Sequence, residues 1–385
     1  MAGGVAARTL REEGYAGRIV LVGDEPGLPF GRPPLSKSYL RGEEELTGWL
    51  VAPADWYYAH QVELLRATAT RIDSAGHRVG LNTGSELDYD RLLLASGGRN
   101  RRLNVPGSEL PGIFQLRTVA DCDAIKNAAH AGAVALVVGM GFIGSEVAAS
   151  LRQIGCEVTA VMPGAAPLES VLGPEVGNVM AGIHAGAGVT LISHDSVERF
   201  EGAGRLERAV TRSGRVIECE VAVGAIGIQP NVEFLAGSGV AIDNGVLVDA
   251  GCRTNVAGIY AAGDVANHMH PLFGRIRVEH YNNAEKQGAA AARSMLRPGI
   301  EYGYLHTFWS DQYEHKLEYA GHARHWDRFE VRGSLTDRSF IAFYMESGVL
   351  RAAAGLNRGG DPEQDLDGEM AEAARRIAAG GGLGV

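Results

Sequence analysis

Gly139, Gly141 and Gly144 stand at GxGxxG spacing within residues 136–146, LVVGMGFIGSE. Glycines so spaced serve phosphate binding: the first makes a tight turn, the second lets backbone approach a pyrophosphate, and the third lets a helix pack closely on a strand. The spacing alone is a weak signal in a chain with 53 glycines. Its surroundings strengthen it. Residues 133–138 are an apolar, β-branched strand pattern, 145–154 suit a helix, and 157–162 read as a second strand. The phosphates would sit at the helix N-terminus, where free N–H groups and the positive end of the dipole favour an anion. Glu146 falls in the first turn of that helix, where an acid complements the dipole. Further carboxylates end predicted strands: Asp24 and Glu25 follow the run 18–23, and Asp264 follows Gly263 after 258–262. An acid at the end of the second strand of a βαβ unit is where a ribose hydroxyl is held.

These residues need rigid elements, and the chain is long enough to supply them. With 385 residues, 45% of them hydrophobic, it can bury large cores in two or three domains. Residues 3–14 read as a helix closed by Gly14, feeding the strand 18–23, so the chain starts inside a first βαβ unit. From about residue 305 the pattern becomes antiparallel strands, then a helix over 369–379 and a Gly-rich tail expected to be disordered. No apolar run approaches the ~20 residues that span a bilayer, no signal peptide opens the chain, and a cytoplasmic location is expected. A net charge of −10 argues against nucleic acid as a general partner. Cys122, Cys156, Cys219 and Cys252 form no CxxC pair, and no histidine spacing suggests a metal site.

From residue 3 to about 357 the sequence resembles the FAD-dependent ferredoxin and rubredoxin reductases that serve Rieske-type oxygenases and cytochromes P450. The resemblance rests on RPPLSK (32–37), the strand 87–98 ending in Ser96 and Gly97, the glycine turn with Glu146, GAIGIQPN with Gly227, TNVAGIYAAGDV (254–265), RVEHYNNAEKQG (277–288) and FWSDQ (308–312). It implies an α/β fold with two Rossmann-like domains and an α+β C-terminal interface domain. The FAD domain would comprise 1–111 and 239–304, the NAD domain 112–238, and the interface domain 305–385. In that register Gly3 is the third glycine of the FAD motif and Met1 is internal to it, so the first strand would lie upstream of the assigned start.

The resemblance also distributes roles. FAD would be held by Gly3, Asp24, Glu25, Arg32, Pro34, Ser96, Gly97, Gly263, Asp264, Glu279, His280 and Tyr281, with Trp309 near the flavin face where electrons leave. NADH would lie on Gly139, Gly141 and Gly144, with Gly227 closing the domain. Lys37, near the flavin, would pair with Glu146, facing the nicotinamide, and the two are the candidate catalytic residues. Met162 stands where NADH-specific members carry an acid for the ribose, and no Arg or Lys replaces it for a 2′-phosphate, so NADH is favoured. The implied reaction passes hydride from NADH to FAD and single electrons to a [2Fe-2S] ferredoxin or rubredoxin. Arg99, Arg101 and Arg102 form either a solvated loop or a docking patch for an acidic ferredoxin. The alternative function is a catalytically silent nicotinamide-binding protein without flavin. An NADH oxidase or peroxidase is disfavoured because no cysteine precedes residue 122.

Overall fold

Residues 134–138, VALVV, are apolar and mostly β-branched, and they form the central strand of a five-stranded parallel sheet. The order is Thr190–Ile192, Glu157–Val161, Val134–Val138, Val221–Gly224, Ile113–Gln115, the arrangement of a doubly wound nucleotide-binding domain. Both faces of such a sheet are covered, which is why its strands read as continuous apolar runs rather than alternating ones. The helix that follows, Phe142–Ile154, starts three residues before its expected position because the glycine turn itself enters the first helical turn. Gly155, at φ +104°, closes it in the left-handed conformation.

The computed structural model describes residues 1–358, 360–361 and 366–382. The end of the Gly-rich tail, 383–385, and most of the acidic stretch before the last helix lie outside the described residues. The chain divides into two compact units: Met1–Arg32, Leu46–Arg99 and Gln229–His306 form one, and Pro33–Glu45, Asn100–Ile228 and Thr307–Val385 the other. Residues 33–45, expected within a domain spanning 1–111, therefore group with the second unit. The reason is a set of long-range contacts: the Cys122 thiol donates to the Leu35 carbonyl at 3.1 Å, Ser150 Oγ to the Ser36 carbonyl at 2.7 Å, and Tyr39 Oη to Asp123 at 2.9 Å.

In the first unit the parallel strands form three pairs: Ile19–Gly23 with Val62–Arg66, Leu92–Leu94 with Ile259–Ala261, and Val246–Val248 with Ala266–His270. Helix Ala2–Glu12 lies beside Leu21 of the first pair and Ala95, just past the second: a methyl group added at Gly3 would lie 3.1 Å from Leu21 and 3.4 Å from Ala95. It also packs on helix Tyr281–Leu296 at near backbone contact, since a Cβ at Gly288 would meet the Ala2 carbonyl at 2.5 Å. The single strand expected over 87–98 is three short ones, Glu86–Asp88, Leu92–Leu94 and Gly98–Asn100. The first belongs to an antiparallel meander, the second to a parallel pair, and Gly97 at φ +63° turns the chain out before the third.

The second unit adds a five-stranded antiparallel sheet in the order Thr307–Gln312, His315–Gly321, Val349–Leu356, Ser339–Glu346, Arg328–Ser334, followed by helix Glu369–Ala378. Its core includes Phe308, Tyr319, Phe340 and Tyr344, joined by Leu172, Val176, Met180 and Ile183 of helix Glu169–Gly186. Each such buried side chain contributes about 1.5–3 kcal/mol. That helix kinks at Gly173, at φ +80°, because Pro174 cannot continue the hydrogen-bond ladder. Among the described residues no helix is long and apolar enough to cross a membrane.

Candidate active site

The glycine turn assigns each glycine a distinct physical role. Gly139 has φ +96°, and a Cβ there would strike the Ala225 carbonyl at 2.5 Å. A Cβ at Gly144 would lie 1.9 Å from the Gly139 carbonyl, so helix and strand pack as closely as backbone allows. Gly141 differs: nothing lies within 4 Å of an added Cβ, and it caps the helix with no side-chain hydrogen bond. The backbone at Gly141 is thus open to close approach and no side chain caps the helix, which fits the pyrophosphate of a dinucleotide.

One turn into this helix, Glu146 is 3% exposed and holds an ion pair with Lys37 at 2.8 Å, the lysine side chain being 11% exposed. Two hydroxyls complete the carboxylate's shell: Ser36 Oγ donates to Oε2 by a short bond, and Ser310 Oγ donates to Oε1 at 2.7 Å. A buried pair of this kind persists when its remaining lone pairs are satisfied, and losing one partner typically costs about 3–5 kcal/mol. Lys37 is held from its own side too. Pro33–Ser36 form one 3₁₀ turn, Ser38–Arg41 one α turn, and the turn is pinned to helices Val119–Ala128 and Phe142–Ile154 by Leu35, Ser36 and Tyr39. Burial, then the Asp123 hydrogen bond, pushes the Tyr39 phenol up to about 12, so it stays a donor. Ser310 had no sequence signal for this role. It lies 164 residues from Glu146, and only the position of FWSDQ on a strand of the last domain could have suggested it.

Met162 is 3% exposed at the end of strand Glu157–Val161, and its backbone bonds Ile192 and Asp195. The loop beyond it, 163–168, reads PGAAPL and contains no cation. Glu169 turns its carboxylate back onto the Ala165 and Ala166 amides at 2.7 and 3.3 Å. Gly227 takes φ +90° and accepts from the Arg101 amide at 2.9 Å.

The first unit gathers most of the remaining candidates. Gly263, at φ +79°, donates its N–H to Gln287 Oε1 at 2.8 Å, and Asp264 follows, its carbonyl accepting from Arg277 at 3.0 Å. Arg277 also pairs with Glu279 at 2.6 Å. Helix Tyr281–Leu296 starts after His280, helix Ala2–Glu12 after Met1; neither has a side-chain cap or an acid in its first turn. Two uncapped N-termini beside a left-handed glycine fit the diphosphate of FAD. Glu25 is ion-paired with Arg32, while Asp24 is exposed. Tyr281 packs edge-on against Trp49 at 5.7 Å, and both rings lie over Gly31, where a Cβ would meet Tyr281 at 2.6 Å. Ser96 and Asn231 exchange hydrogen bonds at 2.8 and 2.9 Å, which ties the small-residue turn Ser96–Gly97 in place. In the second unit Pro34 is buried under the lysine turn, and Trp309 is half-buried on strand Thr307–Gln312.

Of the basic run, Arg99 is committed to Glu233 at 2.9 Å, while Arg101 and Arg102 are exposed. All four cysteines are buried free thiols, and burial pushes Cys122, Cys219 and Cys252 up to about 12. They are neutral at physiological pH and too far from nucleophilic form for dithiol chemistry.

Comparison with known proteins agrees with this architecture. Residues 1–288 match the family described as pyridine nucleotide-disulphide oxidoreductase, and residues 307–376 match the domain described as reductase C-terminal. The chain is 36% identical over 360 residues to rhodocoxin reductase of Rhodococcus erythropolis, covering 93% of this chain and 84% of that protein. It is 34% identical to the benzene 1,2-dioxygenase system ferredoxin–NAD(+) reductase subunit of Pseudomonas putida, covering 93% and 87%. Among solved structures, the covalent putidaredoxin reductase–putidaredoxin complex matches with a TM-score of 0.93 at 32% identity, covering 98% of this chain and 91% of that one. With both nucleotide folds, the reductase C-terminal domain and no redox dithiol, the chain belongs to the pyridine nucleotide-disulphide oxidoreductase family, in its ferredoxin reductase branch.

Proposed function

We propose that this protein is the NADH-oxidising flavoprotein of an electron-transfer chain, a cytoplasmic reductase that passes single electrons to a [2Fe-2S] ferredoxin or a rubredoxin. The balanced reaction consumes one NADH, reduces two acceptor molecules by one electron each, and releases one proton. FAD, when bound, supplies the conversion from two-electron to one-electron chemistry. The chain's own residues bind, orient and place charge. The uncapped start of helix Phe142–Ile154 receives the NADH pyrophosphate, with Gly141 leaving room for it. The Lys37 ammonium provides a positive charge toward the reduced flavin, and Glu146, held by Ser36 and Ser310, fixes where that charge sits. Residues Gly3, Glu25, Arg32, Ser96, Gly263, Asp264, His280 and Tyr281 hold FAD, and Trp309 serves electron exit. In this reading 1–111 and 239–304 are the FAD domain, apart from the 33–45 segment, 112–238 bind NADH, and 305–385 meet the acceptor.

The observation that carries the reading is the buried ion pair between Lys37 of the RPPLSK turn and Glu146 in the first turns of the glycine-turn helix. A flavin-free nicotinamide-binding protein is not favoured, since it gives that pair no task and the relatives are reductases. Nucleotide choice provides a test. With Met162 buried and no cation in 163–168, neither ribose form is strongly selected, and NADPH gains no attractive contact. We expect kcat/KM to favour NADH modestly, and Met162→Glu, which supplies one charged contact to the ribose, to sharpen that preference roughly tenfold. A preference for NADPH would show that 162–168 is not the ribose loop.

A further inference from the structure

Along strand Thr307–Gln312 burial alternates, so Phe308, Ser310 and Gln312 share one inward face. Two polar side chains on that face must find partners. Ser310 Oγ lies 2.7 Å from Glu146 Oε1, Gln312 Nε2 lies 3.1 Å from Ser310 Oγ, and Gln312 Oε1 lies 2.9 Å from Nε2 of His184 on helix Glu169–Gly186. His184 Nδ1 in turn lies 3.2 Å from Tyr313 Oη. Ser310, Gln312 and His184 are all essentially buried.

The chemistry of these groups leaves one direction for every proton. A carboxylate only accepts, so the Ser310 hydroxyl donates to Glu146 and its lone pair accepts the Gln312 amide N–H. The Gln312 carbonyl then needs a donor, which only a protonated Nε2 of His184 supplies. Nδ1 is left bare to accept from Tyr313. We propose that His184 is a positioning residue for the NADH reaction: as the neutral Nε2–H tautomer it locks the Gln312 amide so that Ser310 donates to Glu146. The inference rests on the role assigned to Glu146 above. Without His184 the Gln312 amide is free to turn over and offer its carbonyl to Ser310. Ser310 would then donate to Gln312, and Glu146 would be held only from the Lys37 and Ser36 side. Burial keeps the imidazole neutral, lowering it to about 4, and the neighbouring Tyr313 phenol is also raised by burial, so the chain carries no net charge of its own.

Two measurements test this. In protein labelled with ¹⁵N-histidine, the resonances lost in His184→Phe should report the Nε2–H tautomer at neutral pH. An Nδ1–H tautomer or a cation would overturn the proposal whatever the enzyme's activity. In anaerobic stopped flow, Ser310→Ala and His184→Phe should each slow flavin reduction by NADH about tenfold, the scale of one hydrogen bond to a charged group. The double variant should be no slower than either single one, and Ser310→Thr should restore the rate. Gln312→Leu breaks the same chain and is expected to match them if His184→Phe does not fold. An unchanged rate in His184→Phe, or an undiminished further loss when it is added to Ser310→Ala, would show that His184 does not act through Ser310. If NADH fails to reduce flavin in the unaltered protein, the proposed function falls, and the tautomer measurement still decides the hydrogen-bond chain.

Discussion

At the residue scale the site turns on one carboxylate, Glu146, with three donors, Lys37, Ser36 and Ser310. Glu146→Gln keeps the shape, removes the charge and leaves the Lys37 ammonium buried without a counterion. We expect NADH reduction of the flavin to slow by more than tenfold and stability to fall by about 3–5 kcal/mol, the cost of breaking a buried pair. Unchanged single-turnover kinetics would remove Glu146 from the reaction. His184 gives a second, independent prediction. Burial lowers its imidazole from 6.5 to about 4, so the folded state disfavours the proton that the unfolded chain accepts. The stability this represents is complete above pH about 6.5 and is lost as pH falls toward about 4, on the order of 3 kcal/mol in all. Urea unfolding of the unaltered protein should weaken across that window, and His184→Phe should lack that share of the slope. An identical slope in both would show that His184 is protonated when folded. The sequence made Lys37 and Glu146 readable, because each sits in a motif. It left Ser310 and His184 silent, because their roles arise from partners more than a hundred residues away.

At the scale of elements, the strand, turn and helix around Gly139, Gly141 and Gly144 were readable from the glycine spacing together with the apolar strand before it and the helical pattern after it, apart from the first three residues of the helix. The three glycines should nevertheless respond differently to substitution. Gly144→Ala would force a methyl into the Gly139 carbonyl, 1.9 Å from the Cβ position, and should lower the Tm markedly along with NADH affinity. Gly141→Ala meets nothing within 4 Å and needs no unusual φ, so its Tm should be near that of the unaltered protein. Its methyl would still occupy the approach of the pyrophosphate, and NADH binding should weaken about tenfold or more. Calorimetry and NADH titration of both variants separate the two effects; equal affinity in Gly141→Ala would place the phosphates elsewhere. The strand expected over 87–98 shows what local pattern misses. Its apolar run, residues 92–95, is flanked by Asp88, Asp90 and Arg91 on one side and by Ser96 on the other, and the stretch serves three different sheets, so only tertiary pairing decides where one strand ends. The grouping of residues 33–45 with the second unit was hidden for the same reason, being set by contacts to helices far along the chain.

For the molecule as a whole, the cysteines separate this chain from relatives that work through a dithiol: all four are buried and none is paired. Electrons that enter as a pair from NADH must therefore leave without a thiol relay. The interface domain was legible from its change to antiparallel strands and the FWSDQ motif, whereas the acceptor it serves leaves no mark in spacing or composition. The most direct test is an anaerobic titration of the FAD-loaded protein with NADH, followed by addition of oxidised [2Fe-2S] ferredoxin. One NADH should bleach the visible flavin band of one protein molecule. Two ferredoxins should then be reduced as the band returns, with no protein thiol consumed. Failure of NADH to bleach the flavin, or reoxidation only by a disulphide substrate, would contradict the account.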